Sequence, residues 1–230
     1  MAPALQWHST GHCMANDEYD AVAYTGVAAD FEALLDSSPN ERAVQTFLKR
    51  YRYIVRNALN VHAWNSVHLQ PEFSLGGNHV VDFLILSEDS GGWHTVLIEL
   101  ESPNERPFTK KGIPAKALAK GLAQLGEWKI WIGKNDPSFR EHLSSLVEVR
   151  YLPEEPRSPS DYQRANPTIR DPHTMIDKHY IVVVGRRRLF CGSNVQERRQ
   201  QLRDEGKEIV SYDRLLDKAR ELDPSRNASR

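Results

Sequence analysis

The stretch NHVVDFLILSEDSGGWHTVLIELES, Asn78 to Ser102, decides the fold. Two apolar runs of strand length flank SEDSGG, whose Ser, Asp and Gly residues favour a turn, so the pattern predicts a β-hairpin. Each run also contains acid: Asp82 in the first, Glu99 and Glu101 in the second. An unpaired carboxylate buried in a sheet costs several kcal/mol, comparable with a domain's whole stability margin. Three acids near one another add mutual repulsion. Such a set persists when it faces solvent, pairs with basic groups or binds a hard cation.

Residues two apart on a strand share a face, so Glu99 and Glu101 point the same way, and the hairpin brings Asp82 alongside Glu99. A sheet with one wet face, its acids bridged to Lys or Arg, is the plain explanation. Against it, both neighbours of Asp82 (Val81, Phe83) and of Glu99 (Ile98, Leu100) are apolar, whereas a half-exposed strand alternates more cleanly. On the cation reading, Asp82 and Glu99 supply oxygen ligands to Mg²⁺ (or Mn²⁺), with the Leu100 backbone carbonyl as a third. Magnesium keeps several waters and needs only one or two carboxylates. A water of lowered pKa at such a cation attacks a phosphodiester in line.

Working outward, Ser66–Leu75 alternates and predicts a strand before the hairpin, with Pro71 suggesting an edge or bulge. Three strands joined by short turns make an antiparallel meander. Upstream, Asp30–Ser38 suggests a short helix. Residues 37–59 suggest one longer helix, with Ser38 or Asn40 as cap and Pro39 in its first turn. Downstream, IPAKALAKGLAQLGEWKIWIG (Ile113–Gly133) is the longest helical pattern, followed by a helix over 136–146 and a short strand, LVEVRYL. A long loop spans 153–176. His179–Gly185 predicts an interior strand, then come a charged helix near 195–205, a strand EIVSY and a helix YDRLLDKARELD. The fold class is α/β, a mixed sheet flanked by helices. Residues 1–38 form an arm and short helix, 39–225 the single main domain, and 226–230 a tail.

At 230 residues the chain suits one substantial domain, and 40% hydrophobic with 27% charged residues is an ordinary globular composition. The formal net charge of -1 means that any polyanion must be held by a local basic patch. Two cysteines make no disulfide framework, the N-terminus lacks a secretory pattern, and no apolar run approaches about 20 residues. A cytoplasmic protein without membrane contact is expected. Neither a P-loop nor a dinucleotide fingerprint is present, so no nucleotide cofactor is expected.

An acid on one strand of a hairpin, then acid-x-Lys on the next, then a helix, is the signature of the PD-(D/E)xK nuclease superfamily, which Asp82 and Glu99-Leu100-Glu101 resemble. Further features narrow it: ALAKGLAQLGEWKIWI, with Gln124 four residues before Trp128; YIVVVGRRR (Tyr180–Arg188); and KEIVSYDRLLDKAREL, whose SYDRLL is the most characteristic piece. Together these resemble the catalytic domain of the Shedu anti-phage defence nucleases, over roughly Glu41 to Leu222. The resemblance implies a restriction-endonuclease-like core, metal-dependent cleavage of DNA, with double-stranded phage or foreign DNA as the target, and a homo-oligomer. It also implies that Gln124 supports the site.

Glu101 stands where the superfamily has lysine. Glutamate can orient water or hold a second metal but cannot offset charge, so a catalytically inactive DNA-binding or regulatory module is the rival reading. Lys116, Lys120 and Gln124 fall at i, i+4 and i+8 of the long helix, so a lysine can reach the site from a new direction, although an exposed helix face also explains Lys116. Glu41 is an extra acid at the site or a charge stabilising its helix N-terminus. Arg186, Arg187 and Arg188, with Arg198, Arg199 and Arg203 on the next helix, make a patch for DNA phosphates, or else a solvated face paired with nearby acids. His79 and His94 flank the acidic strands and suit phosphate or plain surface. His8, His12 and Cys13 lack a fourth partner and read as incidental.

Overall fold

The computed structural model describes residues 22–60, 66–77, 79–89, 92–148, 169–192 and 194–225. Its elements run α1 (Val27–Asp36), α2 (Glu41–Arg50), α3 (Arg52–Leu59), β1 (Ser66–Gly76), β2 (His79–Asp89), β3 (Gly92–Leu100), α4 (Lys116–Lys134), α5 (Asp136–Glu148), β4 (Ile176–Val183), α6 (Val195–Asp204), β5 (Lys207–Val210) and α7 (Tyr212–Leu222). The sheet order is β1-β2-β3-β4-β5. The first three strands form the expected antiparallel meander, and β4 and β5 continue it in parallel. The fold is α/β with a mixed sheet, the arrangement expected of a restriction-endonuclease-like core.

Helices cover both faces because the central strands are apolar on both. Phe83, Ile85, Val96, Ile98, Ile181 and Val183 pack in one cluster with α1, α2, α3 and α7. Leu84, Leu86, Leu97, Val182 and Ile209 pack in a second with α4, α5 and Val195 of α6. Parallel strands buried on both sides lose the polar alternation of a surface sheet.

Two irregularities shape the functional end. The β2–β3 ladder runs from Asp89–Gly92 to Phe83–Ile98 and ends there, while β2 stays with β1 as far as Gly76–His79. Strand β3 stays with β4 as far as Leu100–Val183. The sheet therefore forks between β2 and β3. At the fork, Glu72 lies across from Asp82 with a positive φ of 50°. Beyond it Phe73, Leu75 and Val81 pack into the α4–α5 cluster, although Leu69 and Phe83, of the same strand parity, pack into the other. A local break of this kind bends a strand and re-aims its side chains.

Several expectations need correction. Residues 41–59 form two helices broken at Tyr51, not one. Asn40 is the cap of α2, its side chain accepting from the Ala43 amide at 2.9 Å, so Pro39 precedes the helix. Leu146–Glu148, expected to open a strand, complete α5, because Leu143 and Val147 continue its buried stripe at i, i+4. Strand β3 stops at Leu100, which leaves Glu101 just beyond it. The remainder of LVEVRYL, the loop over 153–168, and the His8, His12 and Cys13 cluster lie outside the described residues.

Helix α4 approaches the sheet closely at Gly121, where a Cβ would meet Val182 Cγ1 at 2.9 Å and Glu101 Cγ at 3.2 Å. Gly121→Val should therefore destabilise the chain by roughly 1–3 kcal/mol, as overpacking does. Urea denaturation checks this; unchanged stability would show that α4 is free to move outward.

Candidate metal and phosphodiester site

The fork leaves the Leu100 amide without a β2 backbone acceptor, and the Asp82 carboxylate takes its place. Leu100 N–H donates to Asp82 Oδ2 at 2.7 Å. The other oxygen, Oδ1, accepts from Gln45 Nε2 of α2 at 2.6 Å. Asp82 is thus aimed by two donors, one from the sheet and one from a helix.

Glu99 and Glu101 are each only 3% exposed. Glu101 lies under Gly121 of α4. Its amide donates to the Val183 carbonyl at 2.8 Å, and its own carbonyl accepts from the Tyr212 hydroxyl at 2.8 Å. Tyr212 opens α7 and is fully buried. Lys120, from α4, reaches Glu101 Oε1 at 3.1 Å and Glu41 Oε2 at 3.7 Å. The contact with Glu101 is an ion pair to a carboxylate that is itself almost wholly buried. Glu99 Oε2 is buried with no hydrogen-bond partner.

The electrostatics follow from this packing. Burial pushes the Glu99 carboxyl up to about 9, with the Asp82 and Glu101 charges adding to the effect. Burial also raises Asp82 to about 6, opposed by the Leu100 amide and reinforced by Glu41. Glu101 is raised by burial, against the pull of Lys120. Burial alone would lower the Lys120 ammonium, but Glu101, Glu41 and Glu99 outweigh it and hold the pKa above its ordinary value. The Lys120 ammonium therefore faces several acids, and Lys49 also draws the Asp82 carboxyl down.

This donor set suits a hard divalent cation: carboxylate oxygens, one of them orphaned, in a region short of positive charge. Asp82 and Glu99, with the Leu100 carbonyl, are the groups that would hold it. Among the described residues, no three His, Cys, Asp or Glu side chains already stand in metal-cage geometry. A magnesium site that retains several waters needs no such cage.

The remaining candidates divide. Gln124, one turn beyond Lys120 on α4, lines a recess of about 250 Å³ with His79, Val80, Lys120, Ala123, Glu127 and Trp128. Lys116 is exposed at the start of α4, one turn before Lys120. Arg186 is 9% exposed and held by Asp36 at 2.9 Å and Asp213 at 3.2 Å, so it braces the fold and does not present itself to phosphate. Arg187 pairs with Asp217, and Arg188 is exposed. His94 is buried beside Asp177, among the first residues of β3, away from the acids. Gln45, Gly121 and the role of Tyr212 escaped the sequence reading. The one available signal for Gln45 was its position one helical turn after Glu41.

The family described as Shedu protein SduA, C-terminal, matches residues 38–216. The chain belongs to the Shedu family. The match takes in Glu41, Asp82, Glu99, Glu101, Lys120 and Tyr212, and Shedu membership supports a role in anti-phage defence. No curated protein matches the chain. Among the described residues, no helix of this Shedu chain is long and apolar enough to cross a membrane.

The buried acids set a pH signature. Glu99 titrates near 9 in the folded chain against 4.5 for an ordinary glutamate, so the folded state holds the extra proton between those values. Stability without added cations should fall as pH rises through that window. Thermal melts in EDTA from about pH 5 to about pH 9 should show a declining Tm, and Glu99→Gln should flatten the decline. A profile unaltered by Glu99→Gln would contradict the assignment.

Proposed function

We propose that this Shedu chain is a divalent-metal-dependent endonuclease that hydrolyses DNA phosphodiester bonds in defence against phage. The observation that carries this reading is the convergence of Asp82, Glu99 and Glu101 at the fork, with an orphaned glutamate oxygen and Lys120 opposite. When bound, Mg²⁺ or Mn²⁺ would neutralise charge on the scissile phosphate and lower the pKa of the attacking water.

The chain's own groups divide the remaining work. Asp82 and Glu99 hold the cation, and Gln45 and the Leu100 amide fix the direction of Asp82. Glu101, braced by Tyr212 through its backbone, orients the water and accepts its proton. Lys120 supplies, from a helix, the positive charge that the superfamily places on the strand. Fixed donors and charges of this kind act without reorganising when charge develops. Gln124 lies on the same stripe of α4, where its amide can meet the substrate. The same reading takes double-stranded foreign DNA as substrate, the cytoplasm as location and a homo-oligomer as the working form.

Purified protein should cut plasmid DNA when Mg²⁺ or Mn²⁺ is supplied. Asp82→Ala and Glu99→Ala should each lower the rate by about 10²-fold or more, because even a group supporting a metal ligand is worth 10–100-fold. Lys120→Ala should cost about 10-fold, a typical effect for a supporting group. DNA retained without cutting, indifferent to the Asp82 and Glu99 changes, would instead establish the inactive binding module.

A further inference from the structure

An acidic cluster repels a polyanion, so DNA reaches it only if cations nearby outweigh that repulsion. Arg188 is exposed, but most of the other obvious arginines already hold partners within the chain. Arg186 is held by Asp36 and Asp213, Arg187 by Asp217, and Arg203 lies 3.7 Å from Glu208. Arg199 donates to the Ile209 carbonyl at 3.1 Å and lies over the Phe190 ring.

The segment between β3 and α4 differs. Arg106, Lys110, Lys111 and Lys116 are all exposed, and none has an acidic partner among the described residues. Their backbone is nonetheless built. Phe108 and Pro114 form an antiparallel bridge. The Thr109 amide donates to the Ile113 carbonyl at 2.8 Å, the Gly112 amide to Thr109 at 2.9 Å, and the Ala115 amide to Pro107 at 2.8 Å. Gly112 turns with φ +72° against Asn194 and Arg198 of the α6 end, while Phe108 is 4% exposed. Buried anchors thus hold a small hairpin that presents its cations outward. Its two ends are also the two sides of the acid cluster: Glu101 lies five residues before Arg106, and Lys120 one helical turn after Lys116.

We infer that the Arg106–Lys116 hairpin, and not the Arg186–Arg188 run, is the surface that grips the phosphates of duplex DNA beside the site. The inference rests on DNA being the substrate. Cations on a preformed loop meet the backbone at a fixed offset from the carboxylates, so they set where the strand lies without reading its sequence. Exposed lysines free of internal ion pairs release DNA counterions on binding, and each phosphate contact contributes about 0.9 to the salt dependence of affinity.

Fluorescence anisotropy with a labelled 30-base-pair duplex in EDTA, across a salt series, tests this without cleavage. Lys110→Gln/Lys111→Gln should weaken binding several-fold and reduce the slope of log affinity against log salt by about 1.8, two contacts' worth. Lys218→Gln, a lysine paired with Glu221 on α7, should leave the slope unchanged. Melting temperatures near that of the unaltered chain establish that the variants fold. An unchanged slope in the double variant, an equal loss in Arg187→Gln/Arg188→Gln without one in the hairpin, or no duplex binding by the unaltered chain overturns the inference. The two readings separate cleanly. Asp82-dependent cutting with binding indifferent to the hairpin removes the surface and keeps the nuclease. Hairpin-dependent binding by a chain that never cuts does the reverse.

Discussion

The Leu100 amide has lost its antiparallel neighbour, because β2 leaves β3 after Phe83–Ile98, and the 2.7 Å bond from Leu100 to Asp82 closes that gap with a side chain. A buried amide left unpaired costs about 1–3 kcal/mol, so the fork is stable only with an acceptor in Asp82's position. One carboxylate therefore does two jobs: it ends the ladder and stands beside Glu99. Glu99 and Glu101 sit at the same end because β3, kept straight by β4, runs on past the point of divergence.

Closing the remaining sides of the cluster takes residues from distant parts of the chain. Gly121 lets α4 sit low enough for Lys120 to face Glu101, where any larger residue would lift the helix. The Gly185 amide donates to the Ser102 carbonyl, and the Glu101 carbonyl goes to Tyr212 instead. The SYDRLL segment thus acts at the cluster through its tyrosine, while its Asp213 holds Arg186.

The sequence made the meander and the acids legible because strand periodicity is local and a buried carboxylate contradicts its surroundings. What it concealed was non-local. Tyr51 continues the apolar spacing of a helix, so the break between α2 and α3 left no mark in the pattern. The arginines after β4 form an obvious run of charge, but the Asp36 that occupies Arg186 lies 150 residues away. Gln45 is an ordinary polar position on α2 until the fork brings Asp82 beneath it. Lys120 was legible in part, since helical spacing placed it on one stripe with Gln124, although only packing set the distance to Glu101.

The two helical layers contribute unequally to the cluster but both are required. Glu41 and Gln45 come from the layer of α1, α2, α3 and α7, and Lys120 from the layer of α4, α5 and α6, with the Lys120–Glu41 pair spanning the seam. No fragment holding only one layer contains the full set of charges. Any chemistry of the cluster is thereby tied to completion of the fold: a nascent or proteolysed chain carries its acids unassembled.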